Sequence, residues 1–68
     1  MNFTIEIEQE DDGRFLAEVI GFPSVLAYGQ TQEEAVARVQ ALALRVLADQ
    51  LEHGELTPEL VSVSFAAA

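Results

Sequence analysis

Residues Thr31–Gly54, TQEEAVARVQALALRVLADQLEHG, predict one long α-helix, and this helix decides the fold. Its start resembles a capping box, because Thr31 can accept a hydrogen bond from the backbone near Glu34 while the Glu34 side chain reaches back. Its end is marked by Gly54, a residue type that readily adopts the left-handed conformation in which helices stop. The start and stop signals therefore agree on a helix over about residues 32–53.

Helical spacing places the apolar side chains of this stretch on two adjacent faces. At about 100° per residue, one face is expected to lie on a sheet. It contains Ala35, Val36, Val39, Leu42, Ala43, Val46 and Leu47. The second face contains Ala37, Ala41, Leu44, Ala48 and Leu51. Alanine can stand there for its helix propensity alone, but the two leucines favour a flank on which another copy of the chain packs.

Three strands are predicted before the helix. Residues 2–9 alternate apolar with polar side chains, which indicates a strand with one buried and one wet face. Acidic residues followed by Gly13 supply a turn. Residues 14–20 then return as a strand that is apolar on most of both faces, as expected of a central strand or of one covered by a neighbouring subunit. Residues 25–28 form a short third strand.

One strand, residues 60–65, is predicted after the helix, because apolar residues alternate with serines there. The alanines Ala66–Ala68 are expected to form a frayed tail. The element order is then β-β-β-α-β, and a right-handed crossover through the helix places the last strand parallel to the first. The sequence thus predicts a single α+β domain over residues 1–68. Its four-stranded sheet is mostly antiparallel, in the order 3-2-1-4, with the helix on one face.

Composition restricts the classes of partner. The chain has twelve Asp and Glu residues against three Arg and no Lys, a net charge of −9. This charge disfavours direct binding to nucleic acid and to anionic membranes. A basic protein is the natural electrostatic complement, although acidity can also simply keep a small domain in solution. A core of 68 residues without cysteine is marginal, so self-association is the expected supplement.

Neither membrane insertion nor catalysis is predicted. The N-terminus lacks the basic and apolar regions of a secretory signal, and no apolar run reaches the length of a membrane span, so the cytoplasm is the expected location. Two-metal phosphoryl chemistry needs several converging carboxylates. Glu6 or Glu8 with Glu34 supplies two, and the last strand adds only serines. One histidine leaves no ordinary zinc site, so we expect no metal, no cofactor and no catalytic residue.

A series of short motifs runs in order through nearly the whole chain. These motifs are Asp12-Gly13, a strand opening at Phe15 with Ala17-Glu18-Val19, Pro23, and Gly29-Gln30-Thr31-Gln32-Glu33-Glu34-Ala35. The ordered set resembles the N-terminal domain of HicB-type antitoxins. The resemblance implies a degraded ribonuclease-H-like module that binds and neutralises a small basic, RNA-cleaving toxin of the HicA type. The candidate toxin-binding residues are the carboxylates outside the core, Glu6, Glu8, Glu10, Asp11 and Asp12.

The chain also departs from the family pattern. Family antitoxins commonly carry a further C-terminal segment that binds operator DNA, whereas this chain stops just after its fourth predicted strand, so no direct nucleic-acid binding is expected. Ser24-Val25 replaces the Gly-Cys that commonly follows Pro23. We expect a homo-oligomer, a dimer or a tetramer, with an antitoxin-type role. The alternative is a stand-alone oligomeric module with a small-ligand or structural role and no toxin partner.

Overall fold

The computed structural model of the protein describes residues 1–57 and 62–68. Its elements are β1 (Asn2–Gln9), β2 (Phe15–Val19), β3 (Leu26–Gly29), α1 (Gln32–Glu52) and β4 (Ser64–Ala67). The four strands form one sheet in the order β3-β2-β1-β4. β2 is antiparallel to both of its neighbours, and β4 is parallel to β1. The predicted α+β fold and the strand order 3-2-1-4 are confirmed.

The ends of α1 follow the local chemistry of its sequence. The Thr31 hydroxyl accepts a hydrogen bond from the Glu34 backbone N–H at 3.1 Å. The Glu34 carboxylate accepts from the backbone N–H of Gln30 at 3.2 Å, one residue earlier than the capping box predicts. Past the last helical residue, Gly54 takes a φ of +71°, as its role at a helix end requires. Within the described residues, no helix is both long enough and apolar enough to cross a membrane.

The hydrophobic core lies between α1 and the sheet. Its buried side chains are those of Ile5, Ala17, Val19, Val25, Ala35, Val39, Ala43 and Leu47. The helix contributes every fourth residue from Ala35 to Leu47 and lies mainly over β2 and β3. The helix and the sheet approach each other closely at Gly29, where an added Cβ would stand 2.4 Å from the backbone nitrogen of Ala35. Glycine is therefore required where β3 passes under the first turn of the helix.

Aromatic side chains cover the part of the helix side of the sheet that α1 does not reach. The Phe3 ring stacks on the rings of Phe22 and Phe65, with centroids 5.8 Å and 5.7 Å apart. All three residues pack against the core while remaining partly exposed. These rings therefore cover the β1–β4 half of this face, because the helix lies mainly over β2 and β3.

The last strand lies later in the chain than predicted. Residues 60 and 61 of the predicted strand 60–65 lie outside the described residues, and the observed strand is Ser64–Ala67. The prediction of a frayed tail over Ala66–Ala68 is wrong: the Ala68 N–H donates to the Ile5 carbonyl at 2.8 Å, and the preceding alanines pair with β1. A run of alanines has no alternation that could show this pairing. The predicted ranges of β2 and β3 differ from the observed ones by one residue at each end.

Candidate interaction surfaces

The sheet face turned away from α1, called the open face below, combines apolar and acidic side chains. Successive side chains of a strand point to opposite faces, so the neighbours of buried core residues lie here. They are Thr4, Glu6 and Glu8 on β1, Leu16 and Glu18 on β2 with Ile20 just beyond it, and Leu26 and Tyr28 on β3. Because the helix packs on the opposite face, this surface is available to a partner.

An apolar patch, formed by Leu16, Ile20, Leu26 and Tyr28, occupies the β2–β3 half of the open face. Leu16 lies directly opposite Tyr28 in the strand ladder. Ile20, Leu26 and Tyr28 remain 46%, 40% and 38% exposed. The Arg14 guanidinium lies 4.5 Å from the centroid of the Tyr28 ring and so borders the patch with a cation–π contact. Contiguous exposed apolar residues around an aromatic ring are typical of protein interfaces.

Three carboxylates, Glu6, Glu8 and Glu18, border the apolar patch and are called the acidic row below. Glu6 lies directly opposite Glu18 across the β1–β2 ladder, and Glu8 is the diagonal neighbour of Glu18. None of the three forms an ion pair with any residue in the ranges 1–57 and 62–68. Like charges placed directly opposite each other destabilise a sheet. Folding therefore gains nothing from this arrangement.

Neutralising one carboxylate of the acidic row is expected to stabilise the fold. Glu18→Gln should raise the free energy of unfolding by about 0.5 kcal/mol, because it removes the repulsion with Glu6. Urea denaturation at low ionic strength measures the difference. Glu33→Gln is the matched control and should slightly lower stability, since Glu33 lies in the first turn of α1, where negative charge is favourable. A loss of stability in Glu18→Gln would show that the two carboxylates do not repel each other.

The carboxylates predicted to bind a toxin fall into two groups. Glu6 and Glu8 are exposed on the open face, whereas Glu10, Asp11 and Asp12 lie in the turn between β1 and β2. Asp12 already has a partner: it accepts from the Arg14 backbone N–H at 3.0 Å and from the Arg14 Nε at 2.7 Å. These bonds, the backbone one foremost, lower the pKa of Asp12 below its usual value. The Asp12 carboxylate is therefore already paired with Arg14 within the β1–β2 hairpin.

The residues of the open face were only partly predicted as a site. The alternation of β2 places Glu18 beside Leu16, but only the strand register shows that Glu18 lies opposite Glu6. Leu26 joins the patch because β3 pairs with β2, bringing Leu26 opposite Glu18. A periodic sequence shows which side chains share one face of a strand, and it does not show which residues of two strands meet.

The carboxylates considered for metal-dependent catalysis do not converge. Glu6 and Glu8 lie on the open face, whereas Glu34 begins the helix on the opposite side of the sheet. In the part of the chain that the structure describes, no three His, Cys, Asp or Glu side chains are grouped so that they could hold a metal ion.

The flank predicted for self-association lies on the outer side of α1. Leu44 and Leu51 are 48% and 45% exposed. Ala37 and Ala48 are also exposed, and Ala41 is half-buried. A groove of about 280 Å³ runs beside this flank, between the helix leucines and the side chains of Met1, Leu56 and Val63. The exposure agrees with the predicted face of the helix, and its binding to another copy stays a prediction.

No family model matches the chain, and neither a curated protein nor a solved structure matches it. The resemblance to HicB-type antitoxins therefore rests on the order of the sequence motifs alone.

Proposed function

We propose that the protein is a HicB-like, antitoxin-type interaction domain whose open face binds and neutralises a small basic, RNA-cleaving protein. The observation that carries this proposal is the acidic row beside the exposed apolar patch. Interfaces commonly combine an apolar centre containing an aromatic anchor with a polar rim. Here the apolar patch supplies surface that a partner can bury away from water, and the carboxylates of the acidic row attract a basic surface.

The charge of the chain supports a basic partner. The net charge is −9, and two of the three arginines, Arg14 and Arg38, are paired with Asp12 and Glu34. A protein that cleaves RNA holds the phosphates with Lys and Arg side chains. The acidic row would bind those same side chains and so compete with RNA. Neutralisation by this route needs only binding and no catalytic step by the antitoxin.

The domain is further proposed to act as a homo-oligomer. Among the described residues, the core contains eight buried hydrophobic side chains, three of them from alanines, which is a small core for a folded chain. Exposed leucines on the helix flank, Leu44 and Leu51, offer additional apolar area. Burial of that area between copies would add stability without using the open face.

Capture from a lysate of the cells that produce the protein tests the proposed function. A tagged chain is expected to retain a small basic protein at low salt and to keep it at high salt. Salt screens the charged rim but does not weaken the contact with the apolar patch. Mass spectrometry identifies the captured protein, and an RNA-cleavage assay shows whether the chain inhibits it. Recovery of the chain alone, from lysate shown to contain the candidate toxin, would instead favour the stand-alone module with a small-ligand or structural role.

A further inference from the structure

The two edges of the sheet differ in how their main-chain groups are protected. On the β3 edge, the Arg38 Nη1 donates to the Tyr28 carbonyl at 2.9 Å, so the helix covers part of this short strand. Natural sheets use charged side chains and short strands in this way to prevent pairing with other chains. The β4 edge has the sequence Ser64–Ala67, SFAA, with neither a charged residue nor a proline.

The main-chain groups of β4 point alternately toward β1 and away from it. The N–H groups of Ser64 and Ala68 donate to the carbonyls of Met1 and Ile5 at 2.9 Å and 2.8 Å. The alternation of a strand then turns the N–H and C=O groups of Phe65 and Ala67 outward. Across the described ranges, these outward groups meet no backbone partner. They form a free template for another strand.

We propose that β4 pairs antiparallel with β4 of a second copy, with Ala66 on the two-fold axis. In this register Phe65 of one protomer lies opposite Ala67 of the other. The outward N–H and C=O groups of both residues are then all hydrogen-bonded between the chains. The contact is isologous, because the same residues serve both protomers. Two four-stranded sheets become one continuous sheet, as in other cases of strand addition.

Electrostatics lets a second copy approach at this edge and gives a basic partner no reason to prefer it. Each copy carries a net charge of −9, so two copies approach closely only where carboxylates are absent. β4 pairs with Asn2–Ile5 of β1, and the acidic row begins beyond that segment. The neutral β4 edge offers a basic strand no particular attraction, whereas the open face does. The two surfaces therefore suit different partners.

Side chains on the helix side of the sheet also fit this pairing. Phe65 is half-buried, and beside it lies a recess of about 60 Å³ bordered by Ile7, Val36 and Ala67. Antiparallel pairing brings Ala67 of the partner against Phe65. A small residue opposite a large one lets the two strands approach and extends the apolar layer across the axis.

Ala67→Pro tests the pairing by removing one outward N–H from each protomer. Proline is tolerated on an edge strand at positions whose N–H points away from the sheet. Because each copy loses one interchain hydrogen bond, we expect the dissociation constant of the dimer to rise by about tenfold or more. Sedimentation equilibrium of the full chain measures it, with circular dichroism to verify the fold. Ala67→Ser, which keeps both the N–H and the small size of the side chain, is the control and should assemble like the original chain.

Ala66→Glu gives a second test that keeps every main-chain bond. It places two carboxylates opposite each other at the axis, on the exposed side of the strand, and should also raise the dissociation constant. A monomeric original chain, or an Ala67→Pro chain that folds and assembles unchanged, would overturn the proposal. Loss of assembly in Leu44→Glu with no effect of either β4 variant would overturn it in favour of the helix flank. Capture of a basic partner is independent of these outcomes, so failure here is distinct from failure of the proposed function.

Discussion

Gly29→Ala is expected to lower the free energy of unfolding by about 3 kcal/mol, as overpacking against fixed atoms does. The new Cβ would lie 2.4 Å from the nitrogen and 2.9 Å from the Cα of Ala35. Both are main-chain atoms of the first helical turn, which the Thr31 cap holds in place. No rotation of a side chain can relieve the contact. Since a domain of this size has a stability of only about 3–5 kcal/mol, a large fraction of the variant should be unfolded.

Gly13→Ala is the matched control, because it adds the same methyl group to open space. Gly13 has a φ of +91°, and beyond its two chain neighbours no described atom lies within 4 Å of an added Cβ. The expected cost is about 1 kcal/mol, from the backbone conformation alone. Urea denaturation followed by circular dichroism compares the two variants. Equal stability losses would contradict the close packing of α1 on β3.

Charge reversal in the acidic row is expected to weaken binding of the basic partner by about a hundredfold or more. The variant Glu6→Lys with Glu18→Lys places positive charge beside the apolar patch, so repulsion replaces attraction at the point of contact. The reversed pair is still a like-charge pair, so the stability of the sheet should change little. Calorimetric titration of the captured partner measures the affinity.

Glu33→Lys with Glu52→Lys is the control for net charge. Both residues are exposed on α1, away from the open face, and the double substitution changes the net charge by the same amount. The weaker negative charge of this control should slow association with the partner slightly, because long-range attraction is reduced. The equilibrium affinity should stay close to that of the original chain. If both double variants lose affinity equally, the partner responds to total charge and the open face is not its binding site.

Local sequence signals predict most of this fold. Long-range strand pairing explains where the predicted and the observed elements differ. Thr31 and Gly54 mark the helix ends because capping chemistry is confined to a few neighbouring residues. Alternation places Ile5 and Val19 in the core, because burial follows the side of the strand. Alternation predicts the last strand too early, at residues 60–65, because the alanines of β4 owe their strand conformation to hydrogen bonds with β1, nearly a whole chain length away in sequence.

The candidate site shows the same division between local and long-range information. Glu6 and Glu8 are visible in the sequence as the wet side of a strand. The opposition of Glu6 to Glu18, and the patch formed when Leu26 lies beside Glu18, depend on strand register. Turn carboxylates such as Asp12 look equally available in the sequence, yet Asp12 is bonded to Arg14.

Mapping the bound partner by nuclear magnetic resonance tests the central proposal most directly. The chain, labelled with ¹⁵N, is titrated with the basic protein captured from the lysate. The largest shift changes are expected at Leu16, Glu18, Leu26 and Tyr28, with the outer flank of α1 unchanged. Shift changes confined to α1, with the open face unaffected, would contradict the assignment of the open face as the toxin-binding surface.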